Sequence, residues 1–197
     1  MVYVKQIDTY RLGNFINLTP AIQSLANNTG KKIKVHFETE YVRQCFIDCP
    51  FIEHVGMSLY NPILTSGLVC KENTMPDALY VWNKLKDEYR FKGEIPHTYV
   101  DRPDKKIINE DYVVFLNGTG NESESYIETK NPGISAYNEI REIINKTTGL
   151  PVYITGSVED RKRFDNFYLS IVGNIRDSLS LINNGGNMAS AENTYCR

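Results

Sequence analysis

The sequence predicts an α/β protein of two lobes, each built on a parallel sheet. Three observations predict it. Strand-like runs alternate with helix-like apolar stripes at both ends of the chain. Tyr112-Val113-Val114-Phe115-Leu116 is almost uniformly apolar, as in a strand buried on both faces. From Tyr112 onward the order reads β-α-β-α-β-α, the pattern of a parallel sheet.

Val2 to Ile7 reads as the first strand, short and β-branched. A turn follows at Arg11-Leu12-Gly13-Asn14. Beyond it Phe15, Leu18, Ile22, Leu25 and Ala26 recur at helical spacing. Pro20 either begins this helix behind a Thr19 cap or kinks a longer helix that starts near Gly13. Gly30 closes it. Ile33, Val35 and Phe37 alternate with Lys34 and His36, giving a second strand with one polar face. Phe46 to Val55 suggests a short helix and then a strand. Gly56, Pro62, Gly67, Pro76, Gly93, Pro96 and Pro103 divide the middle into short pieces. One helix is expected around Ala78 to Tyr89, and the polar span 90–110 is the candidate link between lobes.

In the second lobe, Ile134, Tyr137, Ile140 and Ile144 mark a helix with Ser135 as cap and Gly149 as stop. The strand Pro151 to Thr155 ends in Gly156-Ser157. A polar helix through Glu159 to Tyr168, a strand at Ser170 to Gly173 and a helix from Ser178 follow. The expected lobes are residues 1–100 and 111–197.

Composition bounds the function. With 197 residues, the chain can bury one ordinary core or two small ones. Hydrophobic residues at 41% and charged residues at 23% exclude a disordered chain. Net charge is -2, and Lys31-Lys32 and Lys105-Lys106 are isolated pairs, so a nucleic-acid partner is not expected. Cys45 and Cys49 stand at helical i, i+4 spacing with only His36 and His54 close in sequence, so packed thiols fit better than a metal site. No leader-like segment and no apolar stretch of the ~20 residues that spans a bilayer appears, which points to the cytoplasm with at most peripheral membrane contact.

Strand-to-helix loops at the carboxyl ends of parallel strands are where open α/β sheets bind ligands. Three loops have the composition for it. Gly13-Asn14 stands at a helix N-terminus that can meet an anion. Asn117-Gly118-Thr119-Gly120 lets backbone approach a ligand, without being a P-loop or a dinucleotide fingerprint. Asn184-Gly185-Gly186-Asn187-Met188 reads as a phosphate nest before a short helix at Ala189, or else as a frayed turn.

The order of these loops resembles one family. Tyr10-Arg11-Leu12-Gly13-Asn14-Phe15, running on to Thr19-Pro20-Ala21-Ile22, is similar to the N-terminal motif of the ADP-heptose:lipopolysaccharide heptosyltransferases. Cys49-Pro50-Phe51-Ile52-Glu53-His54-Val55 continues the likeness, as do Phe115 to Gly120, Val152 to Asp160 and Asn184 to Ala191. The resemblance implies a GT-B-like fold of two Rossmann-like lobes, the C-terminal one incomplete. It implies a nucleotide-sugar donor, a glycan or other hydroxyl acceptor, and inverting transfer with no metal and no further cofactor. It sets Arg11 and Gly13 on the acceptor side and Asn14 at the catalytic position. Asn117, Gly118, Thr119, Lys130, Gly156, Ser157, Gly186 and Asn187 would face the donor.

Three departures accompany the resemblance. Asn14 stands where the family has an aspartate, and an amide is no general base at neutral pH. The last motif lacks its Asp and His, and no strand is readable after Ile182. The chain is also short for two complete lobes. A non-catalytic nucleotide- or sugar-binding relic of the same fold is therefore the rival reading. A different α/β enzyme acting on a phosphorylated metabolite is a third.

Overall fold

The computed structural model describes residues 3–6, 12–56, 63–64, 75–116, 133–155, 170–171, 174–184 and 187–190. The chain divides into two compact units, Met1–Asp101 and Arg102–Arg197.

In the first unit the strands are β1 (Tyr3–Gln6), β2 (Ile33–Phe37), β3 (Ile52–His54) and β4 (Ile63–Leu64), in the order β3-β2-β1-β4. All three pairings are parallel. Helices α1 (Leu12–Thr29) and α2 (Glu40–Gln44) link β1 to β2 and β2 to β3, and α3 (Asp77–Tyr89) follows β4. Both linking helices lie on crossovers that run the same way across the sheet. Right-handed connections therefore place them on one face.

The register fits that placement. Val4 stands beside Val35 and Val35 beside His54, and with Ile33, Ile52 and Phe37 these residues share the helix-covered face. Val4 and Val35 are wholly buried there. The other face carries Lys5, Lys34, His36 and Glu53, all at least partly exposed. The alternation Ile33-Lys34-Val35-His36 foretold this one-sided sheet.

The longer of the two α1 readings holds. Pro20 sits inside the helix, where it offers no N–H to the carbonyl of Ile16. The Thr19 hydroxyl donates to that carbonyl instead, at 2.7 Å. Gly30, at φ 65°, ends the helix in the left-handed conformation glycine adopts without strain. The expected helix at Phe46 is corrected: the helical turns come earlier, at Glu40–Gln44, and residues 45–48 form turns. Only Val42 of that helix is buried, so no apolar stripe announced it.

Helix α3 packs beside α1. The Trp82 indole donates to the Ser24 hydroxyl at 2.9 Å in a buried contact. One turn on, Asn28 Nδ2 donates to the carbonyls of Tyr89 and Arg90 at 3.2 and 3.1 Å, capping the end of α3. Arg90 takes φ 54°, and Phe91 N–H returns to the Lys86 carbonyl at 3.0 Å, a Schellman ending. Segment 91–101, part of the expected interlobe link, is fastened to this unit. Tyr99 N–H donates to the Thr19 hydroxyl (2.8 Å), and Asp101 N–H donates to the Cys45 carbonyl (2.9 Å). Asp48 N–H in turn donates to the buried Asp101 carboxylate (2.8 Å).

The second unit repeats the strand order. Strands β5 (Val113–Leu116), β6 (Val152–Thr155), β7 (Ser170–Ile171) and β8 (Asn187–Ser190) form the parallel sheet β7-β6-β5-β8. Helix α4 (Gly133–Thr148) links β5 to β6, and α5 (Ile175–Asn184) precedes β8. These two connections run in opposite directions across the sheet, so they cover opposite faces. Ile108, Tyr112, Val114, Tyr153 and Leu181 form the core on the α5 side. Val113 and Val152, on the opposite face, are also buried. The uniformly apolar β5 reflects this double cover.

Three expectations here are corrected. Ser135 is no cap, because the helix already begins at Gly133; Gly149 does end it, at φ 71°. The last helix starts at Ile175, where Asn174 Oδ1 accepts the Asp177 N–H at 3.0 Å as a true N-cap. The strand that seemed missing after Ile182 is present as β8, paired along its length with β5. The polar helix expected at 159–168 lies outside the described residues.

Candidate functional site

Each sheet reverses its strand order beside one strand. In the first, the chain steps outward from β1 to β2 and β3, then returns to the other flank of β1 as β4. In the second, β5 is flanked in the same way by β6 and β8. The strand order thus reverses beside β1 and beside β5, and open α/β sheets receive ligands at such switch points.

Gly13 and Asn14 stand at the first of them. They are not a turn before the helix, as the sequence suggested, but part of its opening turn, which begins at Leu12. The first N–H groups of a helix have no partner within it and carry the positive end of its dipole. No acidic residue sits in this turn to offset that charge.

Gly13 is exposed, its φ is not positive, and a Cβ built on it would meet nothing within 4 Å. Neither backbone conformation nor packing requires glycine there. Open backbone at a helix N-terminus is what close approach of an anion requires. Asn14 is half-buried and engaged in an interaction of its own.

The support beneath this turn is aromatic. Phe15 packs against Phe37 and Phe46 with centroids 4.8 Å apart in each case, and His54 lies over Phe37 at 5.2 Å. His54 Nε2 lies 2.8 Å from the Phe46 carbonyl, which makes that nitrogen the proton-bearing one, while Nδ1 is buried without a partner. On the other sheet face Lys5 pairs with Glu38 at 2.9 Å, both side chains about one-third exposed.

The thiols and phenols near the amino edge of this sheet are unsuited to chemistry. Burial, reinforced by the Asp101 charge, pushes the Cys49 thiol up to about 12 against two opposing backbone hydrogen bonds. Cys49 therefore stays a protonated thiol at neutral pH, and Cys45 is a second buried thiol, directed to the Tyr41 carbonyl at 3.5 Å. Burial and then the Asp101 charge raise the Tyr99 hydroxyl to about 12. Among the described residues no group of three His, Cys, Asp or Glu side chains is placed to hold a metal ion, and no helix is long and apolar enough to cross a membrane.

Arg11, Asn117, Gly118, Thr119, Lys130, Gly156, Ser157 and Gly186 lie outside the described residues. The strands that lead to two of these segments are informative nonetheless. Leu116 pairs with Thr155, so the described parts of β5 and β6 end side by side on the carboxyl edge. Asn187 is corrected: it stands in β8 opposite Val113, at the amino end of β5, and not in a phosphate nest before a helix at Ala189. The Thr19–Tyr99 bond and the buried Asp101 escaped the sequence reading, since nothing in the polar span 90–110 marks two of its residues as anchors.

No protein-family model matches the chain, and no curated protein matches it in sequence. Solved structures do match in fold. One is the bacterial iron-containing dodecameric glycosyltransferase TibC from enterotoxigenic E. coli H10407, with TM-score 0.62, 10% identity and 96% of this chain covered. Another is the dodecameric iron-containing heptosyltransferase TibC in complex with ADP-D-β-D-heptose, with TM-score 0.59, 12% identity and the same coverage. This chain spans about half the length of those proteins, 52% of each. The likeness is one of fold, and it extends over about half of each of those chains.

Proposed function

We propose that this chain binds a nucleotide-activated sugar at the carboxyl ends of its parallel strands and takes part in transferring the sugar to a glycan or other hydroxyl acceptor. The observation that carries the reading is the likeness in fold, over 96% of the chain, to a structure holding ADP-heptose. The repeated switch point and the unobstructed Gly13 agree with it.

In this reading the opening turn of α1 presents N–H groups and a positive dipole end to an anionic or hydroxyl-bearing ligand. Arg11 and Gly13 face the acceptor. The segments that begin at Asn117 and Gly156, with Thr119, Ser157 and Lys130, face the donor phosphates and nucleoside. Fixed backbone donors stabilise the departing nucleotide, so transfer proceeds with inversion and needs no metal or further cofactor. Asn14 orients the acceptor hydroxyl but takes no proton from it. A cytoplasmic location, where sugar nucleotides are made, fits this chemistry.

Asn14, an amide that takes no proton, favours a second reading, a binding protein that keeps the fold without catalysis. Titration calorimetry with ADP, UDP and GDP and their sugars separates the two. The enzyme reading expects donor binding together with transfer or slow donor hydrolysis, increased in Asn14→Asp. Binding with no turnover in either form supports the relic. Silence toward every nucleotide at millimolar concentration overturns both.

A further inference from the structure

Helix α1 contains a joint, and the joint is tied to a distant segment. Pro20 withholds the hydrogen bond that would reach back to Ile16. The wholly buried Thr19 supplies it, hydroxyl to Ile16 carbonyl at 2.7 Å. The same oxygen accepts Tyr99 N–H at 2.8 Å, across 80 positions of sequence. A continuous relay thus runs from the Tyr99 amide through the Thr19 hydroxyl to the Ile16 carbonyl.

The two sides of the joint are held differently. Ahead of it, residues 12–16 carry Gly13 and Asn14 and are anchored to the sheet through Phe15 and its contacts with Phe37 and Phe46. Behind it, the helix is locked to α3 by Ser24–Trp82 and Asn28–Arg90. Segment 91–101 is itself fixed further on: Tyr99 packs edge-on to Phe51 at 5.3 Å, and Asp101 is bonded to Cys45 and Asp48.

We infer that Thr19 is a positioning residue, which sets the direction of the opening turn of α1 according to where segment 91–101 lies. A side chain meant only to mend the proline gap needs one hydrogen bond. Thr19 makes two, and the second leads out of the helix. The inference rests on the proposed ligand site for its functional consequence, but the coupling itself is a property of the first unit.

Hydrogen exchange on the full chain, read by peptide mass, tests the coupling without any ligand. Thr19→Val keeps the shape and removes both bonds. It should speed exchange at Tyr99 and across residues 12–16 by roughly ten-fold or more, the loss of about one buried hydrogen bond. Thr19→Ser should retain wild-type protection at both places. Pro20→Ala supplies Ile16 with a backbone donor and should slow exchange in 12–16 while leaving Tyr99 protected, and this variant remains readable if Thr19→Val fails to fold.

The double variant Thr19→Val/Pro20→Ala mends the helix but not the Tyr99 bond. Continued fast exchange in 12–16 supports the coupling. Full recovery there shows that the segment plays no part and overturns it, as does a Thr19→Val effect confined to Tyr99. Where the wild-type chain binds a sugar nucleotide, Thr19→Val should weaken that binding several-fold and Thr19→Ser should not. If the wild type binds none, the proposed function fails while the exchange results still decide the coupling.

Discussion

A glycine in the second position of a helix, with ordinary backbone angles and open space where a Cβ would stand, forgoes stability that alanine would supply. Gly13→Ala should therefore raise the stability of the free protein by a few tenths to about 1 kcal/mol in urea unfolding. The same methyl group would occupy the approach to the helix N-terminus, so sugar-nucleotide or acceptor binding should weaken. Unchanged binding in Gly13→Ala would remove this residue from the site. In the second unit the Tyr112 hydroxyl donates to the Leu181 carbonyl at 2.9 Å in the buried core. Tyr112→Phe should cost about 1 kcal/mol, because it removes a buried hydrogen bond. Denaturant midpoints read this directly. The alignment of Gly13 and Asn14 with a ligand-binding motif was legible from residue order alone. That they are helical was one of two readings left open, because Pro20 obscured where the helix begins.

Helix endings decide much at the next scale. Arg90 holds a left-handed conformation at the close of α3, a state costly for any residue with a Cβ. Arg90→Gly should stabilise the protein by roughly 1 kcal/mol, and thermal unfolding would show the rise in Tm. Helix α3 was readable nearly to the residue, since Val81, Trp82 and Leu85 form its buried stripe. Strand β8 was not. Asn187-Met188-Ala189-Ser190 follows two glycines and has no β-branched residue; it is a strand because β5 offers it an open edge. Pairing across long sequence distance overrode local preference there. Helix α2 was missed for the related reason that one buried residue makes no pattern.

At the scale of the whole molecule, two groups in the first unit hold their protons too firmly. Cys49 rises from 9.0 to about 12 and Tyr99 from 10.0 to about 12 on folding. Above about pH 9 the unfolded chain loses these protons first, so it binds fewer than the folded chain and stability declines as pH rises. The contribution is intact below that range and is lost progressively toward pH ~12. Urea midpoints measured from about pH 8 to about pH 11 should fall, and Cys49→Ala should flatten the fall. An equal slope in that variant would assign the loss to other groups. The two-lobe plan was visible in the alternation of strands and helices, but the fastening of segment 91–101 was not, since its anchors are a backbone N–H and one buried carboxylate. Residues 1–101 expressed alone should fold cooperatively, as circular dichroism through urea would show. A gradual loss of helix would mean that the first unit depends on the second.

The first sheet leaves its Lys5, Lys34, His36 and Glu53 face without a described helix, and only residues 55–62 join β3 to β4, fewer than the dozen or so residues that a crossover helix takes. The second sheet has a helix on each side. The two halves should therefore drift at different rates over evolutionary time. Positions 5, 34, 36 and 53 can exchange one polar side chain for another at little cost to the core, while Val113 and Val114 are held by packing on both sides. A lineage that laid a helix over that face would have to turn those four positions apolar together.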